Sequence, residues 1–399
     1  MIKEAVIFFL DEQALFPIFG SPVIKRNFLL LKQLGINKII VLGKSDLYEK
    51  LSDIPELGNF VYCPSDIKEV IDELLDKIIK GEEVLLLKAN HVLDKPSLQR
   101  LIKGCDNKSI CILEGDGKEP VVLSSKKDLN KIVPAFLNRE SFSPFIEKAK
   151  VVKGIAGLPY LLSRHEDIKK AEHMLAKSLS LEKRDSDSFI AKNFDRNISL
   201  FFTKRLVHTS ISPNQITLIG MSIGIIGAVL LSFPNYWAQL VGSFLFLFCV
   251  IVDGVDGEIA RLKLKESVFG HYLDIITDNL VHVAIFIGMG IGLYRRTGNQ
   301  IYITLIWVLL IGFGLCAISV YQCILKKGEE ELKRSPILIK AMSLLTNRDF
   351  AYLVALLAIF DKLNWFFVMT AIGSYVFSLT LWIADYLYRK NRYPADSSA

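Results

Sequence analysis

The sequence has few of the residues that build compact metal clusters or disulfide frameworks. Its 6 cysteines are scattered and none forms a C-x-x-C pair. We therefore predict neither a zinc site nor a disulfide, and we expect reduced thiols that serve packing. His91 and His165 each stand alone, which favours surface or packing roles. No basic stripe with interleaved aromatic residues is present, which argues against nucleic-acid binding. From the charged start, Met1-Ile2-Lys3-Glu4, we expect no cleavable signal peptide.

Long apolar segments are confined to the second half of the chain. Residues 1–185 contain short apolar runs broken by charge, whereas residues 213–399 contain six segments near the roughly 20 residues that cross a bilayer. The predicted spans are 215–233, 237–257, 271–294, 301–325, 341–360 and 364–388. The fifth has a short apolar core, from Phe350 to Phe360. We therefore predict a soluble domain fused to an all-α, six-helix transmembrane domain.

A segment of different character, 186–212, joins the two halves. Apolar residues recur in it at helical spacing, and four cations occupy much of the remainder. This pattern predicts an amphipathic helix in the membrane interface; the alternative is a helix packed on the soluble domain. The apolar set is Phe189, Ile190, Phe194, Ile198, Phe201, Phe202 and Leu206, and the cations are Lys192, Arg196, Lys204 and Arg205.

The distribution of cations between the predicted loops indicates the orientation. With residues 1–185 inside, the inner loops carry 12 lysines and arginines and the outer loops carry Arg295, Arg296 and Lys362. This asymmetry satisfies the positive-inside rule. It predicts a multi-pass cell-membrane protein whose amino-terminal domain is cytoplasmic.

The soluble half alternates between strand and helix patterns. Predicted strands are Ala5–Leu10, Lys38–Leu42, Phe60–Cys63, Glu83–Leu87 and Ser109–Leu113. Predicted helices are Ser21–Leu34, Ser65–Lys80, Lys95–Lys103 and His165–Leu179. This rhythm is typical of an α/β Rossmann-like domain with a parallel sheet.

Four aspartates occur where one apolar segment ends and the next begins. They are Asp253, Asp256, Asp274 and Asp278. A carboxylate beside hydrocarbon is costly without a partner, so these residues are a candidate functional site. On helices, the i,i+3 and i,i+4 spacings place each pair on one face. Two such helices side by side present hard oxygen ligands that suit Mg²⁺, Mn²⁺ or Ca²⁺ and do not suit zinc. Two divalent cations held in this way serve displacement at phosphorus.

Small and cationic residues lie among these aspartates. Gly257, Ala260 and Gly270 allow a ligand or a helix to approach closely, and Arg261 is a fixed cation suited to a phosphate oxygen. The run fits D-x₂-D-G-x₂-A-R-x₈-G-x₃-D-x₃-D without a mismatch, and closely resembles the signature of the CDP-alcohol phosphotransferases. The alternative is a solvated acidic loop between spans.

This resemblance implies a reaction and a role for each residue. A substituted phosphoryl group moves from a CDP-alcohol to an acceptor hydroxyl, and CMP is released. The four aspartates would hold two divalent cations, Mg²⁺ or Mn²⁺, with Ca²⁺ able to occupy the site. Asp278 would also be the general base. The family's habit further implies a homodimer.

A second motif opens the first predicted span. Ser212-Pro213-Asn214-Gln215-Ile216-Thr217 contains the P-N-x-x-T element that helps to form the nucleotide pocket in the same family. The resemblance therefore implies that Pro213, Asn214 and Thr217 contact the CDP group, together with Asp253, Gly257, Ala260, Arg261 and Gly270. His271 and His282 share the face of Asp274 and Asp278, but the signature does not include them.

The start of the chain resembles the cytidylyl- and uridylyltransferase fold. That family has a Gly-rich loop with an Arg and a Lys after the first strand, whereas this chain has Asp11-Glu12-Gln13-Ala14-Leu15-Phe16-Pro17. The family's acidic metal ligand corresponds to Asn90. We therefore expect an inactive, cytidylyltransferase-like domain; the alternative is an unrelated Rossmann-like domain with a structural or regulatory role.

The order of the two halves resembles the archaeal-type fusions that make CDP-inositol and join it to inositol phosphate. With an inactive first domain, the second half-reaction remains, and a lipid donor such as CDP-diacylglycerol fits the motif equally well. Two further alternatives are a bifunctional enzyme with a working cytidylyltransferase domain and a divalent-cation transporter. A transporter is expected to place its acids near the bilayer centre, whereas these lie at one end of their segments.

Overall fold

The computed structural model describes residues 2–43, 49–51, 61–64, 78–105, 110–116, 119–138, 142, 149–182, 196–326 and 350–392. The chain forms two compact units. The first comprises Met1–Arg184 with Val207–Thr209 and Ala260–Lys265. The second comprises Asp185–Leu206, Ser210–Ile259 and Glu266–Ala399.

The first unit is built on a seven-stranded sheet. Its strands are β1 Glu4–Phe9, β2 Lys38–Gly43, β3 Val61–Pro64, β4 Glu83–Lys88, β5 Cys111–Glu114, β6 Val121–Ser125 and β7 Lys150–Lys153. They lie in the order β7-β5-β6-β4-β1-β2-β3. Strands β4, β1, β2 and β3 run parallel, whereas β6 runs antiparallel to both β4 and β5. The sheet is therefore mixed rather than purely parallel, because β6 returns beside β5 after a short connection.

Helices cover both faces of this sheet. They are α1 Val23–Gln33, α2 Lys95–Gly104, α3 Leu129–Asn138 and α4 Asp167–Glu182. Alternate residues of β1 enter two different cores: Ile7 and Phe9 pack with Phe28 of α1, and Phe8 packs with Phe136 of α3. The rings of Phe8 and Phe136 stack with their centroids 4.6 Å apart. Strand β1 is buried on both faces of the sheet, which explains why its sequence is a continuous apolar run. The predicted helix Ser65–Lys80 lies mostly outside the described residues.

Two cysteines of the first unit are joined. Cys105 follows α2 and Cys111 begins β5, and they form a disulfide with a Cα–Cα distance of 6.0 Å. The prediction that the cysteines are all reduced is therefore wrong for this pair. The sequence separation of 6 residues gave no framework pattern, since the contact depends on α2 and β5 being neighbours in the fold. Among the described residues, Cys249, Cys316 and Cys323 are not part of a disulfide.

The second unit is helical. Its helices are α5 Arg196–Leu206, α6 Pro213–Leu231, α7 Tyr236–Leu262, α8 Val268–Thr297, α9 Ile301–Val320, α10 Phe350–Ile359 and α11 Leu363–Arg392; the last three residues of α7 are counted in the first unit. Within the described residues, 5 helices are long and apolar enough to cross a membrane. The predicted fifth span, 341–360, corresponds to the shorter apolar helix α10, and its first part lies outside the described residues. An α/β unit and a helical unit with several long apolar helices are thus confirmed.

Close backbone contact sets α6 beside α8. A methyl group on Gly288 would overlap the carbonyl oxygen of Ala228, and one on Gly292 would overlap the carbonyl oxygen of Leu231. Positions 228 and 231 of α6 thus meet 288 and 292 of α8, so the two helices run parallel. Small residues permit this approach between membrane helices. As a result, the first turns of α6 and α8 lie at the same end of the unit.

Candidate metal centre

Three of the four predicted aspartates come together. Asp253 and Asp256 lie on α7 and Asp274 lies on α8, and each offers a carboxylate oxygen within 4.8 Å of the others. Asp256 is buried and the other two are half-buried. The i,i+3 spacing puts both α7 carboxylates on one face of the helix, and that face meets the start of α8.

The donor set suits a divalent cation. Three carboxylates at this separation repel one another, and a cation between them removes the repulsion. Carboxylate oxygens are the ligands that Mg²⁺ and Ca²⁺ prefer, and Mg²⁺ keeps several waters as further ligands. Asp253, Asp256 and Asp274 therefore fit a hard cation, which would supply Lewis-acid polarisation of a phosphoryl oxygen.

Asp278 lies outside this three-membered group. It is one turn beyond Asp274 on α8 and is half-buried, and its role as base and ligand stays a prediction. The two nearby histidines differ from each other. His271 is exposed, whereas the His282 ring lies 5.9 Å from the Phe246 ring and 5.5 Å from the Phe350 ring. His282 therefore packs against aromatic rings, as a core side chain does.

The P-N-x-x-T element lies at the same end of the unit. The Thr217 hydroxyl donates a hydrogen bond to Asp256 Oδ2, so α6 directly contacts a candidate ligand. A Cβ on Gly270 would lie 3.0 Å from Asn214 Oδ1, which places Asn214 against the first turn of α8. The two motifs that are far apart in sequence are therefore neighbours in the fold.

Local capping fixes both helix starts. Gln215 N–H donates to Ser212 Oγ, and Ser212 N–H donates to Gln215 Oε1, which forms a capping box before Pro213. At α8, Gly270 N–H donates to Ser267 Oγ at 3.0 Å. Sequence reasoning missed both caps, although the spacing from Ser212 to Gln215 is a recognisable signal.

The remaining predicted contacts lie along α7. Gly257 follows Asp256, and Ala260 and Arg261 occupy the last turn of the helix. The Arg261 Nε and Nη2 atoms are buried and have no hydrogen-bond partner among the described residues. A buried guanidinium nitrogen without a partner is costly, so Arg261 is a donor suited to an anionic ligand.

Sequence reasoning also missed Glu258, which lies between these motif positions. Its side chain is 6 % exposed, and it accepts hydrogen bonds from two hydroxyls of α5, Ser199 Oγ at 2.9 Å and Thr203 Oγ1 at 2.7 Å. An acid in an apolar helix signals a partner, but the sequence does not identify it.

A cleft of about 510 Å³ lies in the first unit. Its lining residues are Asp11, Gln13, Lys88, Asn90, Asp116, Glu119, Tyr160, Leu161, Leu162 and Ser163. Asp11 and Gln13 follow β1, and Lys88 and Asn90 lie at the end of β4. The strand order reverses between β1 and β4, and open α/β sheets bind ligands outside such a switch point.

Two polar side chains of this cleft, Asn90 and Lys88, are already engaged. The Asn90 amide donates to the Leu162 carbonyl at 2.8 Å. The Lys88 side chain is 3 % exposed, and its ammonium lies 2.5 Å from Glu119 Oε2. Among the described residues, the cleft thus has no unpaired cation that could bind phosphate. The Asn90 side chain instead stabilises the segment that contains Leu162.

Comparison with known proteins gives the following relatives. The bifunctional IPC transferase and DIPP synthase of Thermococcus kodakarensis is 35% identical over 145 residues, which are 35% of this chain and 32% of that protein. The protein of the same name from Aquifex aeolicus is 26% identical over 227 residues, which are 57% of this chain and 50% of that protein. The chain spans half or less of the length of these curated relatives.

Solved structures resemble each part of the chain. Phosphatidylinositol phosphate synthase of Mycobacterium tuberculosis with CDP-DAG bound is 17% identical, with a TM-score of 0.32, over 50% of this chain and 96% of that one. The 4-diphosphocytidyl-2C-methyl-D-erythritol synthase of Anaerococcus prevotii is 18% identical, with a TM-score of 0.35, over 43% of this chain and 97% of that one.

The family assignment rests on the carboxyl-terminal half. Residues 210–389 match the family model described as CDP-alcohol phosphatidyltransferase. The match includes the three clustered aspartates, Thr217 and Asn214. The carboxyl-terminal half of the chain is therefore similar to the CDP-alcohol phosphatidyltransferase family.

Proposed function

We propose that the protein is an integral-membrane transferase that moves a substituted phosphoryl group from a CDP-alcohol to an acceptor hydroxyl and releases CMP. The observation that carries this proposal is the group of three carboxylates within 4.8 Å on two apolar helices, inside the family domain. The acceptor is an inositol phosphate-like compound or a lipid alcohol. The relatives named as IPC transferase and DIPP synthase support the first of these.

The four aspartates would hold two divalent cations, Mg²⁺ or Mn²⁺. Asp253, Asp256 and Asp274, which lie together, would be ligands, and Asp278, one turn further along α8, would be a ligand of the second cation. Thr217 orients Asp256 by its hydrogen bond. Such support from neighbouring side chains is typical of metal sites in proteins.

The chain's own residues bind and orient the donor. Pro213, Asn214 and Thr217 of α6 and Gly270 of α8 form one side of the CDP pocket. Asp253, Gly257, Ala260 and Arg261 of α7 form another, where glycine and alanine leave room for the nucleotide. The two buried nitrogens of Arg261 donate to phosphate oxygens.

Asp278 takes the proton of the acceptor hydroxyl. The hydroxyl oxygen then forms a bond to the β-phosphorus, while the bond from that phosphorus to the bridging oxygen breaks and its electron pair leaves with CMP. General-base catalysis of this kind contributes about 10²- to 10⁴-fold in rate.

The first unit is an inactive cytidylyltransferase-like domain in this proposal. Asp11 to Pro17 contains no glycine and no basic residue, Asn90 replaces an acid, and Lys88 is paired with Glu119. The CDP-alcohol is then made by another protein. CTP binding to the first unit in the full-length protein, measured by calorimetry, would contradict this part and favour a bifunctional enzyme.

The protein is multi-pass in the cell membrane, with the first unit and the aspartates on the cytoplasmic side, and it forms a homodimer. The charge asymmetry of the loops supports the orientation. A nucleotide-linked donor made in the cytoplasm reaches the aspartates from that side.

The test is release of CMP by the full-length protein in nanodiscs with Mg²⁺, with CDP-diacylglycerol or CDP-inositol as donor and a panel of hydroxyl acceptors. We expect Asp278→Asn to lower turnover about 10²- to 10⁴-fold while CDP-alcohol binding remains measurable. Asn279→Ala is the control, because Asn279 is exposed and bonds to Ile275 of its own helix.

Two outcomes would contradict the proposal. Unchanged turnover in Asp278→Asn removes the assignment of the base. Transport of Mn²⁺ into liposomes without any release of CMP supports a divalent-cation transporter instead.

A further inference from the structure

Glu258 lies on α7 two residues beyond the candidate ligand Asp256, yet it points away from it. Successive residues of an α-helix are 100° apart, so positions 256 and 258 differ by about 200° around the axis. Both oxygens of the buried Glu258 carboxylate are engaged by α5, Oε1 by Ser199 and Oε2 by Thr203. All three side chains are buried, at 6 %, 5 % and 0 % exposure for Glu258, Ser199 and Thr203.

Apolar contacts accompany this polar one. Phe202 and Leu206 of α5 pack on a cluster that contains Val255 and Ile259 of α7. The Phe202 ring also meets the Phe248 ring edge to face, with centroids 5.9 Å apart. Helix α5 is therefore docked along the same two turns of α7 that carry Asp253 and Asp256.

These turns of α7 need lateral support. Gly254 and Gly257 contribute no side chain to packing, and glycine in a helix interior adds conformational freedom. On one side, Thr217 of α6 holds Asp256. On the other side, Ser199 and Thr203 of α5 hold Glu258. The turn with the candidate ligands is thus fixed between α6 and α5.

We propose that Glu258 is a positioning residue: by bonding Ser199 and Thr203 of α5 it fixes the turn of α7 that presents Asp253 and Asp256 to Asp274. This inference rests on the proposed function, since it assumes that these carboxylates hold a cation. It assigns to α5 a role in the geometry of the metal centre in addition to any contact with the membrane surface.

The test measures Mn²⁺ affinity directly, by the loss of the free-ion EPR signal, in the full-length protein in nanodiscs. The main variant is Ser199→Ala with Thr203→Val, which removes both hydroxyls and nearly keeps the side-chain size. We expect its Kd for Mn²⁺ to rise about tenfold, at the lower end of what loss of supporting contacts costs a metal site. Thr203→Ser keeps the hydroxyl and should bind Mn²⁺ like the wild type.

A control variant and a second measurement separate positioning from a merely structural role. Ser222→Ala removes a hydroxyl of α6 that bonds its own helix, to the Leu218 carbonyl at 2.8 Å, and should leave the Kd unchanged. Hydrogen exchange of the α5 amides should increase in the double variant and in Glu258→Gln. A structural role alone would lower the thermal midpoint and leave the Kd of the folded protein as it was.

The outcomes distinguish this inference from the proposed function. An unchanged Kd in both the double variant and Glu258→Gln overturns the positioning role, even when CMP release by the wild type is intact. A raised Kd with no CMP release by the wild type supports positioning and overturns the transferase. A wild type that binds no Mn²⁺ overturns both through the metal assignment.

Discussion

At the scale of single residues, His91 shows how burial decides protonation. It is fully buried in the first unit. Its Nδ1 accepts a hydrogen bond from Lys88 N–H at 3.1 Å, so Nε2 carries the proton and donates to the Glu119 carbonyl, 3.1 Å away. Burial lowers the pKa of His91 to about 4. The histidine is therefore a neutral packing residue, as its isolation in the sequence favours.

This shift predicts a pH dependence of the first unit. Unfolded His91 takes up a proton near pH 6.5, whereas folded His91 does so near pH 4. Between these values the unfolded state binds more protons, so the free energy of unfolding falls as the pH falls. Above pH 6.5, His91 is neutral in both states and the free energy of unfolding keeps its full value. At pH 4 the free energy of unfolding is lower by about 3 kcal/mol.

Hydrogen exchange of the β4 amides in the full-length protein, corrected for intrinsic rates, checks this prediction. His91→Asn should be less stable at pH 7 and show a flatter slope between pH 6.5 and 4. Two other groups of the first unit also have shifted pKa values, and both are present in the wild type and in the variant. Burial raises the pKa of Glu4, but hydrogen bonds from Gly81 and Lys38 outweigh this and lower it. Burial raises the pKa of Asp94. Parallel slopes in the two proteins would contradict the assignment.

The sequence predicts the residues of the candidate centre better than their partners. Asp253 and Asp256 share a face because of their spacing, and this follows from helix geometry alone. The bond from Thr217 to Asp256 joins residues 39 positions apart, and that from Thr203 to Glu258 joins residues 55 positions apart. Such pairs depend on which helices are neighbours, and local periodicity does not determine this.

At the scale of elements, the same distinction applies to the sheet. Strands β1, β2 and β4 are predicted within one or two residues, because strands buried on both faces read as continuous apolar runs. Strand β6, Val121–Ser125, is missed although it is central. It is short and ends in Ser124 and Ser125, so its sequence does not resemble that of a buried strand. Its burial results from pairing with β4 and β5.

The parallel pair α6–α8 predicts a matched set of glycine variants. A methyl group on Gly288 overlaps the Ala228 carbonyl oxygen, whereas a methyl group on Gly314 of α9 has nothing within 4 Å. Gly288→Ala must push α8 away from α6, and such overpacking costs about 1–3 kcal/mol. Gly314→Ala should leave stability unchanged or raise it by up to about 1 kcal/mol, because alanine favours the helix.

The thermal midpoint of each variant in one detergent checks this, together with the Kd for Mn²⁺. Because α6 and α8 carry Thr217 and Asp274, we expect Gly288→Ala to weaken Mn²⁺ binding as well, and Gly314→Ala to leave it unchanged. Equal midpoints in the two variants would mean that the backbones of α6 and α8 are not in contact.

At the scale of the whole molecule, two observations point to different compartments for the first unit. The loops on the predicted inner side are rich in cations, which predicts a cytoplasmic first unit. Two of the three outer cations also have local partners: Arg295 donates to the Ser232 carbonyl at 3.2 Å, and Arg296 pairs with Asp361. The disulfide between Cys105 and Cys111 is, in contrast, typical of oxidising compartments and rare in the cytosol outside hyperthermophiles.

The orientation of α8 distinguishes these possibilities. The helix has 30 residues and is about 45 Å long, more than the roughly 30 Å hydrocarbon core, so it is long enough to place its ends on opposite sides of a membrane. Glu266 precedes it and Asn299 follows it, and both are exposed. We expect a membrane-impermeant maleimide to label Asn299→Cys in intact cells, and Glu266→Cys after permeabilisation. The native chain is the control and its labelling is subtracted, because Cys316 is partly exposed whereas Cys249 and Cys323 are buried. The reverse pattern would place the aspartates outside the cell and remove a cytoplasmic CDP-alcohol as their substrate, because the charged donor does not cross the bilayer unaided.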